Sequence, residues 1–238
     1  MKNILRLSAT MALGALLATA ASAAFESLKF TADNPLPEFP LSLKVDGTTK
    51  GSAVIAVSVS EEGRAVDFLV LGYTHELFAK SCIAALKEWR FTPARLDGTP
   101  VAVRTELTFD FTLEGAVISG NITNQFLYRN IASMNGTRLV YHPCSAAEID
   151  RAPARIAGPA PQYAIAAEKD GVRGRVEVRF YIDEQGAVRM PVVTADTNPY
   201  LAQEAVTAVR DWRFEPAMHH GRPVLVAASQ MFDFGSPK

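Results

Sequence analysis

Two stretches, "KEWRFTPARLDGTPVAV" from Lys87 to Val103 and "RDWRFEPAMHHGRPVLV" from Arg210 to Val226, follow one pattern, with Trp, Arg, Phe, Pro, Ala, Gly, Pro and Val in step. Sliding the sequence on itself by 123 residues carries the match outward. Gly51–Phe111 then lies on Gly174–Phe234 without a gap, and 19 of the 61 aligned positions are identical. Chance gives roughly four at ordinary composition. The identities gather where backbone geometry is demanding: Gly63/Gly186, Trp89/Trp212, Pro93/Pro216, Gly98/Gly221 and Pro100/Pro223. A long ungapped self-match of this kind marks a duplicated domain.

Each copy reads as strand, turn, strand, helix, strand. In "GRVEVRFYID", Val176, Val178, Phe180 and Ile182 alternate with Glu177, Arg179, Tyr181 and Asp183, the period of a half-buried strand. Gly186 supplies the turn and "AVRMPVVTA" the returning strand. Asn198-Pro199 predicts a helix start, with Asn as N-cap and Pro at the first helical position. Leu201, Ala205, Ala208 and Trp212 then form one apolar stripe, repeated in the first copy by Phe78, Cys82, Ala85 and Trp89. Pro93 and Pro216 bar continuation of the helices. Turns at Asp97-Gly98 and His220-Gly221 lead into final strands over Val101–Phe111 and Val224–Phe234. The expected fold is α+β: two tandem units, each a small antiparallel sheet with one helix on a face. Trp89, Phe91 and Pro93 in one unit, and Trp212, Phe214 and Pro216 in the other, are predicted as structural core rather than chemistry.

These features together resemble the C-terminal domain of TonB-family energy transducers. Asp150–Phe234 carries the resemblance well, and Pro37–Phe111 is a more diverged copy with a similar lead-in, "PEFP". The resemblance implies a periplasmic module that binds a short peptide of an envelope protein, such as a TonB-dependent outer-membrane receptor, as an added strand on a sheet edge. By position it assigns the contact zone of the second copy to Pro161, Gln162 and Tyr163 of the lead-in and to Val224, Val226, Ala228 and Phe232 of the last strand. Pro37-Glu38-Phe39 and Val101–Phe111 are the counterparts in the first copy. Ala164 stands where the pattern has a second Pro, which Pro40 keeps. Departures lie outside the domain. The N-terminal apolar segment holds no His, and Pro35, Pro37 and Pro40 are all that stands in place of a long Pro-rich rod. Two readings stay open: an exported periplasmic binding module, or a membrane-anchored transducer serving outer-membrane transport.

The remaining sequence sets bounds. "MKNILR", an apolar run and "ASA" at Ala21–Ala23 read as a signal peptide over 1–23, with inner-membrane anchoring as the alternative. Residues 35–112 are expected to form the first domain, 113–149 a connecting segment and 150–235 the second domain. Leu127, Ile131 and Met134 predict a short helix in the connector, capped by Asn121 or Thr123. A net charge of −1 supplies no field for nucleic acid. Lone pairs such as His219-His220 and "YHPC" have no further ligands at metal spacing. Neither a catalytic constellation nor a phosphate loop is present, so no enzyme activity, cofactor, metal or small-molecule substrate is expected. Whether Cys82 and Cys144 bridge, and whether the chain self-associates, stays open. Val54, Val66 and Phe68 replace outward Glu177, Arg189 and Pro191, which predicts that something covers the second face of the first sheet: the 122–134 segment, the other copy or a partner chain.

Overall fold

A computed structural model describes residues 25–31, 33–121, 133–134, 137–162, 172–193 and 198–235. The first copy contains a helical turn α1 (Leu41–Val45), strands β1 (Lys50–Val59) and β2 (Ala65–Tyr73), helix α2 (Glu76–Leu86) and strands β3 (Val103–Thr112) and β4 (Gly115–Asn121). Its antiparallel sheet runs β2-β1-β3-β4. The second copy has β5 (Gly174–Ile182), β6 (Val188–Val193), helix α3 (Pro199–Arg210) and β7 (Val226–Phe234), in the order β6-β5-β7. β5, central in its sheet, is the strand whose alternation was plain in the sequence, whereas β1, central in the other, is buried on both faces along most of its length.

Each helix covers one sheet face. Phe78, Cys82 and Leu86 of α2 pack on Ile55, Val57, Phe109 and Phe111. Leu201, Ala205 and Val209 of α3 pack on Val176, Val178, Phe180 and Ile182. The Asn198 side chain caps α3 by accepting from Tyr200 N at 3.0 Å, and His75 Nδ1 does the same for α2 from Leu77 N at 3.2 Å. These bonds satisfy helix-start N–H groups that have no partner within the helix.

The two indoles sit in matching surroundings. Trp89 is 2% exposed and Trp212 4%. Trp89 Nε1 donates to the Pro35 carbonyl at 2.8 Å, and Trp212 Nε1 to the Pro159 carbonyl at 2.6 Å. Trp89 stands edge-on to Phe109 at 5.9 Å and Trp212 to Phe232 at 5.6 Å. The turn glycines match too: Phe91 N donates to Gly63 O and Phe214 N to Gly186 O, each at 2.9 Å. At Asp97-Gly98 and at His220-Gly221 both residues have positive φ, the backbone of a type I′ hairpin.

The second face of the first sheet is covered by the other copy. Val54, Ala56, Leu69 and Leu71 pack against Tyr181, Met190 and Leu225 in one buried cluster, with Tyr141, Val192 and Ala227 at its margin. The molecule is thus layered helix, sheet, sheet, helix. Of the three residues expected on that face, Val54 alone lies there. Val66 is the extra residue of a bulge between Ser58↔Asp67 and Val59↔Ala65, and it is exposed. Phe68 pairs with Val57 and packs on the helix side. The returning strand of the second copy has an irregularity there too. Equivalent residues keep their faces, Leu69 and Val192 between the sheets and Val70 and Val193 on the helix side, so it is strict alternation counted across the bulge that fails.

Polar contacts join the copies as well. Arg189 Nη2 donates to Asp67 Oδ1 at 2.8 Å and to the Phe68 carbonyl at 3.0 Å. Arg104 Nη1 donates to the Met190 carbonyl. Tyr141 stacks on Tyr73 with ring centres 5.1 Å apart and donates its hydroxyl to Glu184 at 2.6 Å, fastening the connector to both sheets.

Within the connector, Gly115–Asn121 is a strand that ends on Asn121. Ser133–Met134 pair as a two-residue strand with Thr137–Arg138, so Met134 is not helical. The rest of the expected helix, Thr123, Leu127 and Ile131 included, lies outside the described residues. Cys82 and Cys144 are both free, buried thiols. Among the described residues no helix is long and apolar enough to cross a membrane.

Candidate functional site

The last strand of each copy is where the two copies part company. β3 is paired on both sides, by β1 and by β4, and its burial alternates without a break from Val103 to Phe111. β7 pairs along its full length with β5, from Ile182↔Val226 to Gly174↔Phe234. On its other side the described residues place one contact, an isolated parallel bridge between Cys144 and Val226, where Cys144 N donates to the Leu225 carbonyl at 2.8 Å. Ser229, Gln230 and Met231 are exposed, Met231 by 54%. Edge strands with accessible backbone are natural templates for a further strand.

A tied-down segment from Cys144 to Ala157 flanks the start of this edge. Ser145 donates its N–H at 2.7 Å and its hydroxyl at 2.6 Å to the Glu148 carboxylate, and the hydroxyl, then the N–H, hold Glu148 below the usual glutamate range. Asp150 accepts from Gly221 N at 3.1 Å and His220 N at 3.0 Å, so its carboxyl lies below the aspartate value of 3.8. His219 Nδ1 contacts the Glu148 carbonyl. Arg155 lies 4.3 Å over the Trp212 ring, and Arg155–Ala157 pairs with Arg213–Phe214. The first copy has the same addition, Lys29–Phe30 on Phe91–Thr92.

Between this segment and β7 runs an open groove of about 480 Å³ lined chiefly by Ala146, Ile149, Ala152, Pro153, Val226 and Ala228. Its lining is apolar and it offers no set of converging polar groups. Among the described residues no group of three or more His, Cys, Asp or Glu is placed to hold a metal. Burial pushes both thiols up, Cys82 most of all, which suppresses the thiolate. What this arrangement offers is backbone and apolar contact.

The sequence-assigned contact residues fall as follows. Val226 is buried under the Cys144 bridge, Val224 and Ala228 pack partly on the second core, and Phe232 joins it through Trp212. Pro161 is half-buried and Gln162 exposed. Tyr163 lies outside the described residues. The groove wall, Ser145 to Pro153, was missed. Ser145-x-x-Glu148 has the spacing of a self-capped turn and was the available signal.

In the first copy, Val101–Phe111 was assigned the same contact role. The structure differs there: β4 already lies along β3, pairing from Glu106↔Asn121 to Thr112↔Gly115.

Fold and edge define a class: paired helix-on-sheet modules in which, among the described residues, one terminal strand lies at a sheet border and its twin does not. The model of the Gram-negative bacterial TonB protein C-terminal family matches residues 36–113 and 159–235, and the chain belongs to that family, with two copies of its domain. Protein TonB of Vibrio cholerae is 30% identical over 105 residues, covering 41% of this chain and 43% of the relative; the match thus spans less than half the relative's length. The solution structure of the Pseudomonas aeruginosa TonB C-terminal domain is 30% identical, covers 41% of this chain and 97% of that one, and gives a TM-score of 0.34.

Proposed function

We propose that the chain is a protein-binding module of the bacterial envelope that captures an extended segment of a partner by strand addition to β7. The observation that carries this reading is the position of β7 at the sheet border, with Ser229–Met231 exposed beside an apolar groove. Main-chain hydrogen bonds along the edge supply affinity, and the groove beside Ile149 and Val226 receives an apolar side chain of the partner. The first copy serves as a scaffold whose sheet backs the second. No chemistry is assigned to the site, and the partner is an envelope protein rather than a small molecule or nucleic acid.

A photo-crosslinking residue at Met231 tests this in intact cells, with Tyr200, 60% exposed on α3, as the control position. A crosslink to an envelope protein from position 231 and not from 200 supports capture at β7. Equal yields from both positions, or none from 231, defeat it. N-terminal sequencing of the exported chain separates the periplasmic form, starting at Ala24, from an anchored form that keeps residues 1–23.

A further inference from the structure

We infer that β4 is a tethered occupant of the first copy's gripping edge. It stands where a partner strand would stand, and it shows what kind of strand the equivalent edge of the second copy takes. The inference rests on the strand-capture reading of β7 and goes beyond it. By the 123-residue offset, β3 and β7 are the same strand of the same domain: Phe109 corresponds to Phe232 and Phe111 to Phe234. β4 folds back through Leu113-Glu114 and completes seven consecutive pairs along β3. Ala116 and Ile118, opposite Phe111 and Phe109, pack against the first core. Val117 faces away and is exposed. The occupant is therefore an extended segment with small or branched apolar residues at alternate positions, seated beside the phenylalanine pair.

Tethering decides the competition at the first copy. A two-residue turn holds β4 at an effective concentration on the order of millimolar or above, so a free peptide at micromolar concentration does not displace it. The duplicated protein then presents one of its two equivalent edges to partners, not both. The unanticipated contact at β7, the parallel bridge from Cys144 to Val226, covers the start of that edge and, among the described residues, leaves the Ser229–Phe232 stretch as the place of addition.

The test uses the whole chain and a blocked synthetic heptapeptide, Gly-Ala-Val-Ile-Ser-Gly-Asn, the sequence of residues 115–121. Calorimetry is expected to give one peptide per chain. Hydrogen exchange is expected to slow over Ser229–Phe232 while Val103–Thr112 and Gly115–Asn121 stay unchanged. A peptide N-methylated at every internal amide, which leaves no N–H to donate on either edge, is expected to bind at least about tenfold more weakly, the loss of one or two net hydrogen bonds. Two peptides per chain, faster exchange in Gly115–Asn121, or equal binding of the methylated peptide overturns the inference. So does the absence of saturable binding up to millimolar peptide. If that absence is accompanied by a persistent Met231 crosslink, the inference alone falls. Peptide binding without the crosslink removes the envelope partner and leaves the inference standing.

Discussion

Gly63 and Gly186 turn the first hairpin of each copy with φ of +74° and +78°, and a Cβ at either would meet a carbonyl oxygen, of Phe91 or Phe214, at 2.0 Å. Gly98 and Gly221 have similar φ, +79° and +72°, but a Cβ there meets nothing within 4 Å. The comparison separates backbone strain from collision. Gly98→Ala and Gly221→Ala are expected to cost about 1–2 kcal/mol, the penalty of the left-handed region alone. Gly63→Ala and Gly186→Ala are expected to cost roughly 3 kcal/mol or more, since the obstacle is backbone that carries the Phe91 or Phe214 hydrogen bond. Urea unfolding of the four variants checks this, and equal losses at both turns would show that the carbonyls yield. The same glycines, with the tryptophans, were what made the duplication legible, because each answers a constraint of its own backbone or core that the chain states locally.

At the scale of elements, α3 was legible from Asn198-Pro199 and its apolar stripe, since both signals are contained in one helix. β4 was not. "GAVISGN" has no strict alternation, with Ala116, Val117 and Ile118 in a row, and its identity as a strand comes from β3 beside it. The faces of β2 were misassigned for a related reason: a bulge at Val66 shifts the register, and a bulge leaves no periodic trace. The segment along the groove is held by carboxylates, and that gives it a pH dependence. Asp150 in the folded chain has its carboxyl lowered by the Gly221 and His220 N–H groups, so its stabilising contribution is complete above 3.8, its ordinary value, and fades as pH falls through the lowered value. Asp150→Asn is therefore expected to be less stable than the natural chain at pH 7 and to approach it at acid pH. Urea unfolding of both proteins at the two pH values measures the gap, and a gap that stays constant would mean that Asp150 acts there without its charge.

For the whole molecule, the decisive contact is the one between the backs of the two sheets, where Leu69 and Leu71 meet Tyr181, Met190 and Leu225. The sequence pointed to a covered face through Val54, Val66 and Phe68 but could not say what covered it, because partner choice depends on three-dimensional complementarity rather than on any local pattern. A buried interface of this kind couples the folding of the two copies. The chain has two tryptophans, one in each core, so each copy carries its own reporter. Trp89→Phe leaves only Trp212 emitting, and Trp212→Phe leaves only Trp89. Each change removes an equivalent indole bond to a lead-in carbonyl, so the two losses are matched at about 1–3 kcal/mol. With the interface intact, the two single-tryptophan chains are expected to unfold at the same urea concentration. Adding Leu71→Ala deletes a side chain buried between the sheets, at a cost of about 2–5 kcal/mol. The two midpoints are then expected to separate, as each copy unfolds on its own stability. Midpoints already apart in the chains that keep Leu71 would mean that the sheets touch without folding as one unit, and the scaffold role of the first copy would go with them.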